Sequence, residues 1–146
     1  MLYYILAICL VGIDQLVKWW VRSSIPLGDS IPFIPYLMDL TYTQNTGAAF
    51  SSFSGMTWLL TLVSLVASVA IAGLLWKNFF PGKWGKLSLS LILAGAVGNL
   101  IDRAFLGFVT DMFETTFIQF AVFNVADICV VAGGFLMAFY VLFLWD

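Results

Sequence analysis

Thr57–Trp76, TWLLTLVSLVASVAIAGLLW, decides the fold class. These are twenty consecutive residues without a charge, and about 20 apolar residues are what an α-helix needs to cross the ~30 Å hydrocarbon core of a bilayer. The rest of the chain agrees. Of its 146 residues 62% are hydrophobic and 10% charged, against roughly a quarter charged in soluble domains, and the mean hydropathy is +1.03. A chain of this length cannot hide so much apolar surface in a water-soluble core. One integral membrane domain over residues 1–146 is expected.

Working outward from 57–76, three further spans are expected at about 2–21, 84–102 and 128–145. The link 77–86 carries Lys77, Lys83 and Lys86, half of the six basic residues. Short loops rich in Lys and Arg stay in the cytoplasm, so this loop and both termini are expected there. The two loops on the other side, 23–56 and 104–126, hold no Lys or Arg beyond Arg22 and Arg103 at their membrane edges. Within them Asp39-Leu40-Thr41-Tyr42-Thr43-Gln44 alternates polar and apolar residues and reads as a strand. Residues 108–123, rich in Phe and Thr, read similarly. The fold expected is an all-α membrane protein of four transmembrane helices with a small extracytoplasmic β element against the membrane surface. The N-terminal stretch does not read as a cleaved leader, because no Lys or Arg precedes its apolar run. Cys9 and Cys129 lie in separate spans and read as small packing residues. Net charge is only −2, and with no basic patch nucleic acid is excluded as a partner.

Charge inside a span is costly, about 2.5–3.5 kcal/mol on insertion scales, and points to function. With the orientation above, Asp14, Asp102, Asp111 and Asp127 all fall toward the outer side. Asp14 and Lys18 stand four apart and can pair. Asn99 precedes Asp102 by three, and Asn124 precedes Asp127 by three at a helix start, where a carboxylate also serves as a cap. Ala94, Gly95, Ala96 and Gly98 allow close helix packing. The chain has no histidine, which removes Ser–His and Cys–His nucleophiles and leaves no expected metal site or cofactor. Two carboxylates sharing one proton remain: one draws a proton from water while the other, protonated, polarises a carbonyl. The partner of Asp127 is Asp102 or Asp111. Asp102 adjoins Arg103, and a carboxylate held by a cation keeps its charge and makes a poor holder of a shared proton, which favours Asp111. The competing readings are a proton-coupled transporter using Asp14, Asp102 and Asp127 as a relay, and a non-catalytic anchor. A relay needs ionisable groups at several depths, whereas the inner halves of these spans have none past Lys86 at the membrane edge.

Five blocks then combine into a pattern: Asp14-Gln15-Leu16-Val17-Lys18; Asn45-Thr46-Gly47-Ala48-Ala49-Phe50; Gly95-Ala96-Val97-Gly98-Asn99-Leu100-Ile101-Asp102-Arg103; Val109-Thr110-Asp111-Met112; and Phe123-Asn124-Val125-Ala126-Asp127. Their order and spacing resemble the bacterial lipoprotein signal peptidases (signal peptidase II). Met112 departs from the family, which usually has Phe there, and the basic tail of many relatives does not follow the last helix. The resemblance implies an aspartyl endopeptidase of the bacterial inner membrane, cutting before the diacylglyceryl-modified cysteine of a prolipoprotein in contact with membrane lipid and inhibited by globomycin. It implies Asp111 and Asp127 as catalytic residues. Asp14, Lys18, Asn45, Gly47, Asn99, Asp102, Arg103 and Asn124 become residues that shape the site or contact substrate.

Overall fold

The computed structural model describes residues 1–47 and 55–145. Four helices, α1 (Leu2–Ser24), α2 (Thr57–Trp76), α3 (Gly82–Leu106) and α4 (Val125–Phe143), are each long and apolar enough to cross a membrane. Three strands, β1 (Ser30–Ile34), β2 (Met38–Asn45) and β3 (Val109–Thr115), form an antiparallel sheet in that order. Chain order puts the sheet at one end of the bundle, where α1 and α3 finish and α4 begins.

Helix ends follow local chemistry. Pro81 precedes α3 with an extended backbone, and Gly107 ends it at φ 79°, a left-handed conformation that glycine adopts without strain. α3 therefore begins before and ends after the expected 84–102. The expected start of α4 at 128 falls one turn late. Asn124 caps that helix: its side chain accepts from the Asp127 amide while the Asp127 carboxylate accepts from the Asn124 amide, which satisfies two amides that lack helical partners.

α3 is the central helix and packs on α1, α2 and α4. Its small residues make this possible. A Cβ on Gly95 would collide with the Ala126 carbonyl and lie 2.5 Å from a Val130 methyl, and one on Gly98 would lie 2.7 Å from the Asp14 carboxylate. α4 answers with Gly133, where a Cβ would lie 2.7 Å from Ile92. Without a hydrophobic drive between helices in lipid, such close approach carries the association.

The sheet departs from expectation in two places. β1 was not anticipated; its sequence, Ser-Ile-Pro-Phe-Ile, is fully exposed, and Pro32 is tolerated because this is an edge strand. The strand expected through 108–123 stops at Thr115; the chain then turns back, and Phe123 bridges to Phe113. Met112 is completely buried with Val21, Ile25, Leu40 and Tyr42, which seats the sheet on the end of α1.

Gly95→Val is expected to force α4 off α3. Overpacking typically costs about 1–3 kcal/mol, so the melting temperature in detergent should fall by several degrees; an unchanged value would contradict this packing.

Candidate active site

The site is organised around a fully buried ammonium. Lys18 Nζ lies 2.9 Å from Asp14 Oδ2, 3.4 Å from Asp102 Oδ2 and 3.0 Å from Asn99 Oδ1. An ammonium has three protons, and these are its three acceptors. Each carboxylate is completed by other donors. The Ala126 amide at the start of α4 bonds Asp14 Oδ1 at 2.9 Å. The Thr110 amide of β3 bonds Asp102 Oδ2 at 2.9 Å. Gln15 Nε2 reaches Asp14 Oδ2, Asp102 Oδ1 and the Gly98 carbonyl, each at 3.1 Å. One cluster thus joins α1, α3, β3 and α4.

This corrects the expected partner of Asp102. The cation against it is Lys18, while the neighbouring Arg103 turns away, its NH1 3.3 Å from Ser64 Oγ and its NH2 3.4 Å from the Gly47 carbonyl. Successive helix residues point in different directions, so adjacency in sequence does not make a pair.

From Lys18 a chain of amides leads to Asp111 and Asp127. Lysine only donates, so the Asn99 carbonyl must face it and the Asn99 NH2 must face away, 2.8 Å from Asp127 Oδ1. Asn124 Nδ2 donates to Asn99 Oδ1 at 3.1 Å and to Asp111 Oδ1 at 2.7 Å. The other oxygen of Asp111 accepts from Asn45 Nδ2 at 3.0 Å, while Asn45 Oδ1 accepts from the Gly47 amide at 2.9 Å. The other oxygen of Asp127 accepts from the Asn124 amide at 3.2 Å. Every carboxylate oxygen of the two residues therefore receives at least one N–H and retains acceptor capacity for water.

Asp111 is buried, and burial pushes its carboxyl up to about 6; the nearby charge of Asp127 adds to the rise, while the Asn45 and Asn124 amides and Lys18 oppose it. A carboxyl poised near neutrality beside a second carboxylate can take and return protons. Both line a cavity of about 690 Å³ whose wall is otherwise largely apolar, including Gly95, Ala96, Val109, Val122, Phe123, Val130 and Val131. Asn45, Asn99 and Arg103 also line it. Asp14, Lys18, Asp102 and Asn124 lie behind that surface, and Gly47 touches it through backbone bonds. Ala48, Ala49 and Phe50, the remainder of the second block, lie outside the described residues.

Three contributors were not among the expected site residues. Gln15 was visible as a polar side chain inside a span, but charge alone drew attention to its neighbours. Ser64, which receives Arg103 and lines the cavity, is one hydroxyl in an otherwise apolar helix. Thr110 contributes a main-chain N–H, and its hydroxyl accepts from Arg22 at 2.9 Å; no residue pattern encodes a backbone bond.

Four helices long and apolar enough to cross a membrane, with two carboxylates lining one largely apolar cavity, define a membrane protein with a built acidic site. The chain belongs to the signal peptidase (SPase) II family, whose description matches residues 6–143, and it is a protease. It is 45% identical over 136 residues to a lipoprotein signal peptidase of Lactococcus lactis subsp. lactis (strain IL1403), covering 92% of this chain and 89% of the relative. It is 43% identical to the lipoprotein signal peptidase of Enterococcus faecalis (strain ATCC 700802 / V583), covering 90% and 81%. A bacterial membrane enzyme solved by the in meso method at 2.3 Å superposes with a TM-score of 0.90 at 29% identity, covering 96% of this chain and 87% of that one. A second, at 1.9 Å, gives 0.88 at 28% identity, covering 97% and 93%.

Lys18→Met strands two buried carboxylates, and breaking a buried ion pair from one side typically costs about 3–5 kcal/mol. Thermal unfolding in detergent should show a large loss for Lys18→Met and partial recovery in the Asp14→Asn/Lys18→Met double variant. Equal loss in the two would contradict the ion cluster.

Proposed function

We propose that this chain is an intramembrane aspartyl endopeptidase that removes the signal peptide from diacylglyceryl-modified prolipoproteins, cutting before the lipidated cysteine. One observation carries the reading: Asp111 and Asp127 line the same largely apolar cavity and are tied together through Asn99 and Asn124. An apolar cleft suits a signal helix and acyl chains, and the carboxylates at its polar end suit the peptide bond.

In this reading Asp111, whose carboxyl burial pushes up to about 6, carries the shared proton and Asp127 is the base. Water loses a proton to Asp127 as its oxygen bonds to the scissile carbonyl carbon. Asp111 donates a hydrogen bond to the carbonyl oxygen and then its proton to the departing nitrogen, so that the C–N bond breaks. Asp127 holds the proton taken from water, and its passage to Asp111 restores the pair. Asn99, Asn124 and Asn45 hold the carboxylates in place. Arg103, between Ser64 and the Gly47 carbonyl, offers a cation to substrate oxygens. Asp14, Lys18 and Asp102 support this layer from behind. The ionisable cluster gathers at the sheet end of the bundle, which favours a hydrolase over a proton relay.

We place the chain in a bacterial cytoplasmic membrane with both termini inside and the sheet at the outer face, from the three lysines of the 77–86 link. Globomycin is expected to occupy the same cleft.

Purified chain in lipid should cut a diacylglyceryl-modified prolipoprotein before the cysteine, read by product mass. Asp111→Asn and Asp127→Asn should each lose roughly 10³-fold or more in kcat, within the range set by losing a general acid or base. A full-rate Asp111→Asn would overturn the assignment. The free enzyme loses its acid as Asp111 deprotonates, so kcat/KM should fall as pH rises through about 6. The Asn45 amide favours the ionised form of Asp111, so Asn45→Ala should move that limb to higher pH; movement to lower pH would contradict the geometry.

A further inference from the structure

A second cavity, of about 580 Å³, meets the first at Asp111. The two share Asn45, Asp111 and residues 120–122, but Asp127 lines the first alone. Their chemistry differs. Thr43, Gln44 and Gln119 give the second cavity a hydroxyl and two carboxamides, and it contains none of the α3 and α4 residues that make the first apolar.

A substrate cut at the carboxylates must leave the site in two directions. Its signal half is apolar. Its other half begins at the lipidated cysteine and continues as a chain that ends up in water. The apolar cavity suits the signal half and the acyl chains on the cysteine, and the carboxamide-lined one suits the polypeptide that follows the cysteine. We propose that the second cavity is the subsite for the polypeptide on the carboxyl side of the scissile bond, with Gln44 and Gln119 hydrogen-bonding its backbone. The proposal rests on the protease reading above and fixes the direction of the substrate within it.

At the second cavity Thr43, Gln44 and Asn45 of β2 pair with β3, whereas the pairing of β2 with β1 ends at Thr41; the polar groups that distinguish this cavity from the first are the side chains of Thr43, Gln44 and Gln119. Gln44 donates Nε2 to the Tyr42 hydroxyl at 2.8 Å, and its carbonyl oxygen accepts no hydrogen bond among the described residues. Gln119 is exposed, in the stretch where the chain turns back after β3. A carboxamide both donates and accepts, which matches a peptide group without demanding a particular side chain. The same direction places the departing nitrogen on the side of Asp111, the one carboxylate facing both cavities, and that is the group that must protonate it.

The test compares two lipidated substrates on the full chain in lipid. One ends as the cysteine amide and the other continues for four polar residues. The extended substrate should have a kcat/KM about tenfold higher, the effect of two modest hydrogen bonds. The ratio should fall toward one in the Gln44→Leu/Gln119→Leu variant. As a check independent of that double change, Gln119→Glu, at an exposed position, should prefer an extension containing Lys over one containing Glu. A wild-type ratio near one, or an unchanged preference in Gln119→Glu, overturns the subsite while leaving the protease intact. Failure of the wild type to cut either substrate before the cysteine would instead overturn the protease reading.

Discussion

An ammonium group taken wholly out of water must find acceptors or lose several kcal/mol. Lys18 finds three, on two carboxylates and an amide, and much of the site's arrangement follows from that requirement. Asp14 and Asp102 are drawn to it from α1 and α3. Because lysine cannot accept, it sets which way Asn99 faces, and through Asn99 and Asn124 that choice extends to both carboxylates of the cleft. The amides act as oriented spacers: they carry no charge, so their direction depends on the ion at the far end. A low-dielectric surrounding strengthens each bond in such a network and raises the cost of leaving one unmade.

Packing makes this arrangement reachable. Asp14 can receive the Ala126 amide only because Gly98 leaves room for its carboxylate, and α4 can lie against α3 only because Gly95 carries no side chain. The capping box at Asn124 and Asp127 adds a second constraint, since Asp127 also lines the cleft while Asn124, behind it, donates to Asp111 and Asn99. Capping and site geometry are therefore one feature, which explains why Asp127 allowed a reading as a cap beside that as a reactive group.

The spans were legible because hydropathy over twenty residues is a strong signal, and α2 matches its expected bounds. Ends elsewhere were not, since Pro81, Gly107 and Asn124 act through local backbone geometry and side-chain caps. β2 was legible from alternation; β1 was not, because an exposed edge strand with a proline carries no inward face to pattern. Charge in lipid exposed Asp14, Lys18 and Asp102, spacing exposed Asn99 and Asn124, and Asn45 emerged only from the family pattern. Which cation meets which acid was hidden: Lys18, 84 positions from Asp102, displaces the adjacent Arg103. Bonds made through main-chain amides, as at Thr110 and Ala126, leave no trace in residue type. Family membership was readable because five short blocks recur in order, although the last part of one, 48–50, falls outside the described structure.

The proposed mechanism requires one proton held between Asp111 and Asp127, and infrared difference spectroscopy of protonated carboxyl groups measures it directly. The wild type should show a carboxyl band that titrates with an apparent midpoint near 6 and is absent from Asp111→Asn. Asp127 raises the Asp111 value through its charge, so Asp127→Asn should move the midpoint down. A band that survives in Asp111→Asn, or a midpoint indifferent to Asp127→Asn, would mean that the two carboxylates do not share a proton and would contradict the account.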